Sequence, residues 1–348
     1  MVEPHAEIPV EITELDVHDD VALREYWEVE QAAMRGHRSR PLLRSYHVLT
    51  MLRDPNPYFR HVLLAARADG RIVGTADLGC SVGDNLHLAD LEISVHPARQ
   101  RLGIGRALYD AASRRLLADG RTTVVGEAHV PVGTQPEAAA AYAFASALGL
   151  RSVHVEDHLL LDLPATPPDI PMADSWEVIT WGRRCPDELR SAYCRMRTQM
   201  ENDVPRGEVD YEPHVFDEER LRVGEERIAR GYDQVVAAAR RTADGAFGGY
   251  SVVLVPHGEP EALQDDTLVM PEHRGHRLGL AMKRATLAVL SREHPELSAI
   301  HTWTSVDNAA MQRTNLGFGY RAVERMHEMQ GTIQSPAAQQ EARGWSPA

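Results

Sequence analysis

Cysteine is scarce: the chain has three, Cys80, Cys185 and Cys194, and no CxxC pair. An odd set cannot be fully bridged, so a disulfide or zinc framework is disfavoured, and buried small hydrophobes are the expected identity. Basic charge is also in deficit, with 37 lysine and arginine residues against 51 acidic ones and a formal net charge of −14. Such a surface repels phosphate backbones and anionic lipid headgroups, so neither nucleic acid nor membrane is an expected partner, whereas protonated amines are attracted. Long apolar runs are missing too. The opening residues, MVEPHAEIPVEITE, are acidic with no apolar core, which argues against a signal peptide. No stretch approaches the ~20 apolar residues that cross a bilayer. A cytoplasmic chain is expected.

What is present is length. At 348 residues and 38.7 kDa the chain suits two domains of ~150–175 residues. The segment from Leu163 to Ser175 carries Pro164, Pro167, Pro168 and Pro171, which remove backbone donors and favour extended chain. The expected division is 1–165, a linker at 166–175, a second domain at 176–333, and a polar, poorly ordered tail at 334–348.

The halves repeat each other. An offset of 174 residues superimposes Val95 on Val269, Pro97 on Pro271, Gln100 on Arg274, Gly105 on Gly279 and Ala107 on Ala281. Nearby offsets place Asp69-Gly70 on Asp244-Gly245 and Gly149 on Gly319. The turn at Asp69-Gly70 lies between two apolar runs and predicts a β-hairpin, as does Asp244-Gly245. Leu91, Ile93 and Val95 alternate with polar residues, a strand pattern. Ile104, Leu108, Ala112 and Leu116 share one helical face, and Leu278, Met282, Ala285 and Val289 do so in the second half. Helices are expected at 20–36, 186–201 and 217–231, and a strand at 153–161. His154 and His158 on that strand have no accompanying ligand set, so no metal site is expected. This order predicts an α+β fold with a mixed, mostly antiparallel sheet in each half.

The strand–loop–helix unit Val95–Leu108 carries the chemical signal. Its loop ends at a helix N-terminus, where unpaired N–H groups and the macrodipole favour an anion. Gly103 and Gly105 remove the Cβ atoms that would keep a phosphate off those donors, and Arg99, Arg101 and Arg106 add positive charge.

This loop resembles the GNAT acetyltransferase superfamily, whose signature is [Gln/Arg]-x-x-Gly-x-[Gly/Ala]. Gln100, Arg101, Leu102, Gly103, Ile104 and Gly105 match it fully, with Arg106 following. Arg274, Gly275, His276, Arg277, Leu278 and Gly279 match except that Arg277 replaces the first glycine. The resemblance covers nearly the whole chain as two copies, like the tandem bacterial members of the family. It implies two GNAT-like domains of six or seven strands each, acetyl-CoA as acyl donor gripped by these loops, no metal, and direct transfer to the amine of a small molecule. It implies that Val95 and Val269 supply backbone oxyanion donors and that Glu92 and Asp266 are the candidate bases. Asn308 is expected to cap a helix and bond the donor's arm. The family's usual acidic tyrosine, four residues before the closing glycine, is replaced by Asn315 in one copy and Ala145 in the other. Catalysis in the second copy is favoured slightly. The competing expectation, from the missing tyrosines, is a CoA-binding sensor or scaffold without turnover. The negative surface suits a polyamine, aminoglycoside or amino sugar as acceptor; a monomer and a homodimer are both compatible with the sequence.

Overall fold

A computed structural model describes residues 8–38, 45–166, 169 and 171–333; the expected tail lies outside the described residues. The first half runs β1 (Glu11–Glu14), α1 (Asp20–Ala33), α2 (Tyr46–Thr50), β2 (Phe59–Ala68), β3 (Arg71–Ser81), β4 (Leu88–Val95), α3 (Ile104–Ala118), β5 (Thr123–Pro131), α4 (Ala140–Ala147) and β6 (Arg151–Asp162). The second runs β7 (Trp176–Trp181), α5 (Arg190–Asp203), α6 (Glu218–Gly231), β8 (Tyr232–Arg241), β9 (Phe247–Pro256), β10 (Glu261–Val269), α7 (Leu278–Glu293), β11 (Ala299–Ser305), α8 (Ala309–Phe318) and β12 (Arg321–Thr332). Local chemistry explains much of this. Asp69 and Gly70 take φ of 52° and 75°, the left-handed pair that a tight hairpin between β2 and β3 needs. Asp19 caps α1 by accepting from the Val21 and Ala22 amides, and Asp217 caps α6 through the Arg220 amide.

All twelve strands form one sheet, in the order β1-β2-β3-β4-β5-β12-β6-β11-β10-β9-β8-β7. The halves exchange their last strands. β12, the end of the second half, pairs antiparallel with β5 of the first, from Glu324 against Pro131 to Thr332 against Thr123. Reciprocally, β6 of the first half pairs antiparallel with β11 of the second, from Ala299 against Asp162 to Ser305 against Glu156. β6 and β12 pair with each other at the centre. The two parallel pairings, β4 with β5 and β10 with β11, are each bridged by one helix, α3 or α7, as a parallel crossover requires.

The seam contains a polar chain running across four adjacent strands. His158 Nε2 lies 2.8 Å from His301 Nδ1, and His301 Nε2 lies 2.6 Å from Glu261 Oε2. Glu324 Oε2 sits 3.6 Å from the other His158 nitrogen, and Trp303 stacks on the His158 ring at 4.3 Å. Connecting loops also cross between halves. His37, after α1, meets Glu324 at 3.2 Å, and Asn85, before β4, exchanges two hydrogen bonds with the Glu212 backbone.

A fragment ending at residue 165 would leave β6 without both partners and β5 with a bare edge. It should show no cooperative thermal unfolding by circular dichroism, whereas coexpressed 1–165 and 166–348 should copurify. A sharp melt of the isolated fragment would contradict the exchange.

Candidate active site

The two loops expected to bind an anion share a left-handed backbone pattern. Two left-handed residues occur in each, spaced two apart: Arg101 (φ 64°) and Gly103 (φ 83°) in the first, Gly275 (φ 85°) and Arg277 (φ 62°) in the second. Glycine and arginine have exchanged places. The first residue of each motif pins the strand end: Gln100 Nε2 donates to the Val95 carbonyl, and Arg274 Nε to the Val269 carbonyl, both at 3.3 Å. Arg274 also pairs with Asp203 at 2.7 Å. These two side chains therefore shape the bend.

Beyond the loops the halves diverge. In the first, the Phe144 ring of α4 lies against Gly105, so close that a Cβ there would sit 3.1 Å from it. Arg106 donates to the Ala147 carbonyl at 3.1 Å, tying α3 to the end of α4. Tyr142 packs edge-on against His327, and Phe144 and Tyr142 join the apolar core that carries Ile104 and Leu108. Side chains thus fill the space between α3 and α4. In the second half Thr314 stands where Phe144 would be, and a Cβ on Gly279 would meet only Val269 and Thr267 methyls at 3.6–3.8 Å. A cleft of about 970 Å³ opens there, with Gly275, Arg277, Leu278, Gly279, Asn308 and Asn315 in its walls.

The parting of β10 and β11 makes that cleft. They pair in parallel only from Glu261–Leu263 to Ala299–His301 and then separate. β10 also bulges: its register against β9 slips between Gln264 and Thr267, inserting one extra residue. Gln264 stabilises the bulge, donating to the Val252 and Asp266 carbonyls. The bulge separates two adjacent acids. Asp266, the expected base, accepts a 2.8 Å hydrogen bond from Tyr250 and lies 3.6 Å from Arg197, on the α5 side. Asp265 lines the cleft instead. Its side chain is open to the cleft; desolvation by the surrounding groups, with the Asp266 charge alongside, raises its carboxyl to about 7 against the opposing pull of Arg197. β4 has no such bulge, and Glu92 lies opposite Asp77 on β3.

Asn308 caps α8 by accepting from the Met311 amide at 3.1 Å. Asn315 is 1% exposed; its Nδ2 donates to Thr304 Oγ1 at 2.8 Å, while its Oδ1 is buried without a hydrogen-bond partner. Glu156, from the exchanged β6, also lines the cleft, so the first half contributes a wall to the second half's site. Glu328 on β12 is raised to about 7 and Asp90 on β4 to about 6, each mainly by burial, with carboxylates nearby adding to the effect. The three cysteines are free and buried. Among the described residues no group of three or more His, Cys, Asp or Glu is placed to hold a metal ion.

The sequence pattern left open which of the adjacent acids Asp265 and Asp266 faces the cleft, and it did not expose Glu156 or Lys283. The real inward face of α7 is Leu278, Met282, Lys283, Thr286, Leu287 and Leu290, a stripe that an apolar-only count rotates by one position.

This architecture defines a tandem of two GNAT-like domains, and residues 22–149 match the sequence profile of the Acetyltransferase (GNAT) family. Among solved structures, a tandem GNAT protein from the clavulanic acid biosynthesis pathway is 26% identical, with a TM-score of 0.79 over 94% of this chain and 99% of that one. A GCN5-related N-acetyltransferase from Sphaerobacter thermophilus shares the fold at 14% identity and TM-score 0.68, covering 94% and 96% of the two chains. A mycothiol acetyltransferase of Salinispora arenicola (strain CNS-205) is 36% identical over 132 residues, a match covering 37% of this chain and 38% of that protein. The chain therefore carries a GNAT domain within a tandem GNAT architecture.

The divergence of the clefts can be exchanged. Thr314→Phe should abolish acetyl-CoA binding measured by calorimetry, with the melting temperature nearly unchanged. Unchanged binding in this variant would mean that the second cleft does not hold the donor.

Proposed function

We propose that the chain is an acetyl-CoA-dependent N-acetyltransferase that works in its second cleft on the amine of a small molecule. The observation that carries this is one open space joining an anion-binding loop, parted strands and a carboxyl of raised pKa. The residues present fit the donor. Free amides of the 275–279 bend suit its diphosphate, and the Arg277 guanidinium can pair with phosphate oxygens in bidentate fashion. The orphaned Asn315 Oδ1 is an acceptor available to an amide N–H of the pantetheine arm. Bound there, acetyl-CoA supplies a thioester carbonyl open to attack.

The chain's own groups have two tasks. Asp265, ionised, takes the proton that keeps an incoming ammonium from attacking, and its raised pKa suits work near neutral pH. Backbone N–H groups around Val269, at the end of the bulged strand, face the developing oxyanion. Glu156, in the wall of the same cleft, supports a cationic acceptor such as a polyamine, aminoglycoside or amino sugar.

Release of CoA thiol should be followed against a panel of such amines. Asp265→Asn should lower kcat by about 10²–10⁴-fold. Because the base acts deprotonated, the wild-type rate should fall as pH drops below about 7, and this limb should disappear in the variant. Donor binding without amine-dependent thiol release would support the sensor or scaffold reading instead.

A further inference from the structure

The 37 basic residues of this chain include a single lysine, Lys283; every other one is arginine. That lysine is 2% exposed, on the inward face of α7, one helical turn beyond Gly279 of the anion-binding bend. It lines the same cleft as Asp265, Thr302, Thr304 and Asn315. Among the described residues it makes no side-chain hydrogen bond and no ion pair. Its Nζ lies 5.2 Å from the centroid of the Tyr320 ring.

A buried amine without a carboxylate is a poor structural choice. Leucine or methionine would fill the same volume on α7 without a charge to desolvate. Arginine serves every surface role elsewhere in the chain. What lysine alone supplies is a primary amine that can be neutral, and therefore nucleophilic, without help from a base. Burial with no compensating anion favours that neutral form, bringing its pKa down to about 7.

We propose that Lys283 is a self-acylation site: acyl-CoA held in the second cleft transfers its acyl group to Lys283 Nζ when no acceptor amine is present. The Nζ lone pair attacks the thioester carbonyl carbon. The C–N bond forms, the C–S bond breaks, and the proton lost by nitrogen goes to the departing sulfur, giving CoA thiol and a neutral amide. Nothing is oxidised or reduced. The product suits the site better than the starting amine, because an acyl-lysine cannot carry the charge that burial disfavours. It also occupies part of the cleft, so the modified chain should bind a second donor more weakly.

The inference rests on the second cleft being the donor site, and the test separates the two ideas. The full chain is incubated with acetyl-CoA and no amine, binding is followed by calorimetry, and the acylated residue is located by peptide mass spectrometry. The expected result is one acetyl group on Lys283, saturating with donor as binding does, and at least about tenfold faster than in the urea-unfolded chain. Lys283→Arg and Lys283→Met should both lose it. Binding heat with Lys283 unmodified, or acetylation confined to the N-terminal amine, overturns self-acylation alone. Absence of binding heat overturns the donor-site reading as well. Because the main readout is on the unmutated chain, a misfolded variant cannot obscure the outcome.

Discussion

The pairing of β12 with β5 and of β6 with β11 is the constraint on which the rest of the molecule depends. Each half ends in a strand that completes the other half's sheet, so neither has a finished core without its partner. Without the exchange, β5 and β11 would be long unpaired edges, a hazard for aggregation. The histidine chain Glu324–His158–His301–Glu261 ties β12, β6, β11 and β10 together beside the exchange. The exchange also has a functional consequence. Glu156 reaches the second cleft only because β6 lies beside β11, so that site is built from both ends of the chain.

Motif fidelity and open space fall in different halves. The first loop matches the family signature fully and lies in the segment that the family profile recognises, yet Phe144 and the Arg106–Ala147 bond close the space beside it. The second departs from the signature at Arg277, but Thr314 and the β10 bulge leave its cleft open. A signature reports on the bend that grips a diphosphate. Whether an arm can pass beyond the bend depends on side chains of another helix and on how the strands part. None of these is part of the motif.

The sequence was most informative where structure is local. The Asp-Gly turns, the stripe on α3 and the strand ending at Val95 follow from spacing and turn chemistry alone. Strand exchange is not legible in this way, because alternation in β6 or β12 defines which face is buried and not which strand lies alongside. Asp266 illustrates the same limit in the site. Strict alternation decides which of two neighbouring acids faces the cleft, and one inserted residue between Gln264 and Thr267 changes the answer. Lys283 was hidden for a simpler reason: a search for apolar periodicity passes over polar residues, such as Lys283 and Thr286, in a buried stripe.

The two bends show which property was retained while the clefts diverged. Left-handed φ costs a non-glycine residue of the order of 1 kcal/mol, yet each bend places one arginine in that conformation. Had glycine been required for backbone freedom alone, both left-handed positions would carry it in both halves. Instead one position in each bend keeps close main-chain approach and the other carries a guanidinium, with the order reversed. The common requirement is a backbone curled to present its amides, plus one positive charge at its rim. Reversing the order moves that charge from before the glycine to the N-cap of α7. In the second half it therefore lies at the mouth of the cleft that remained open.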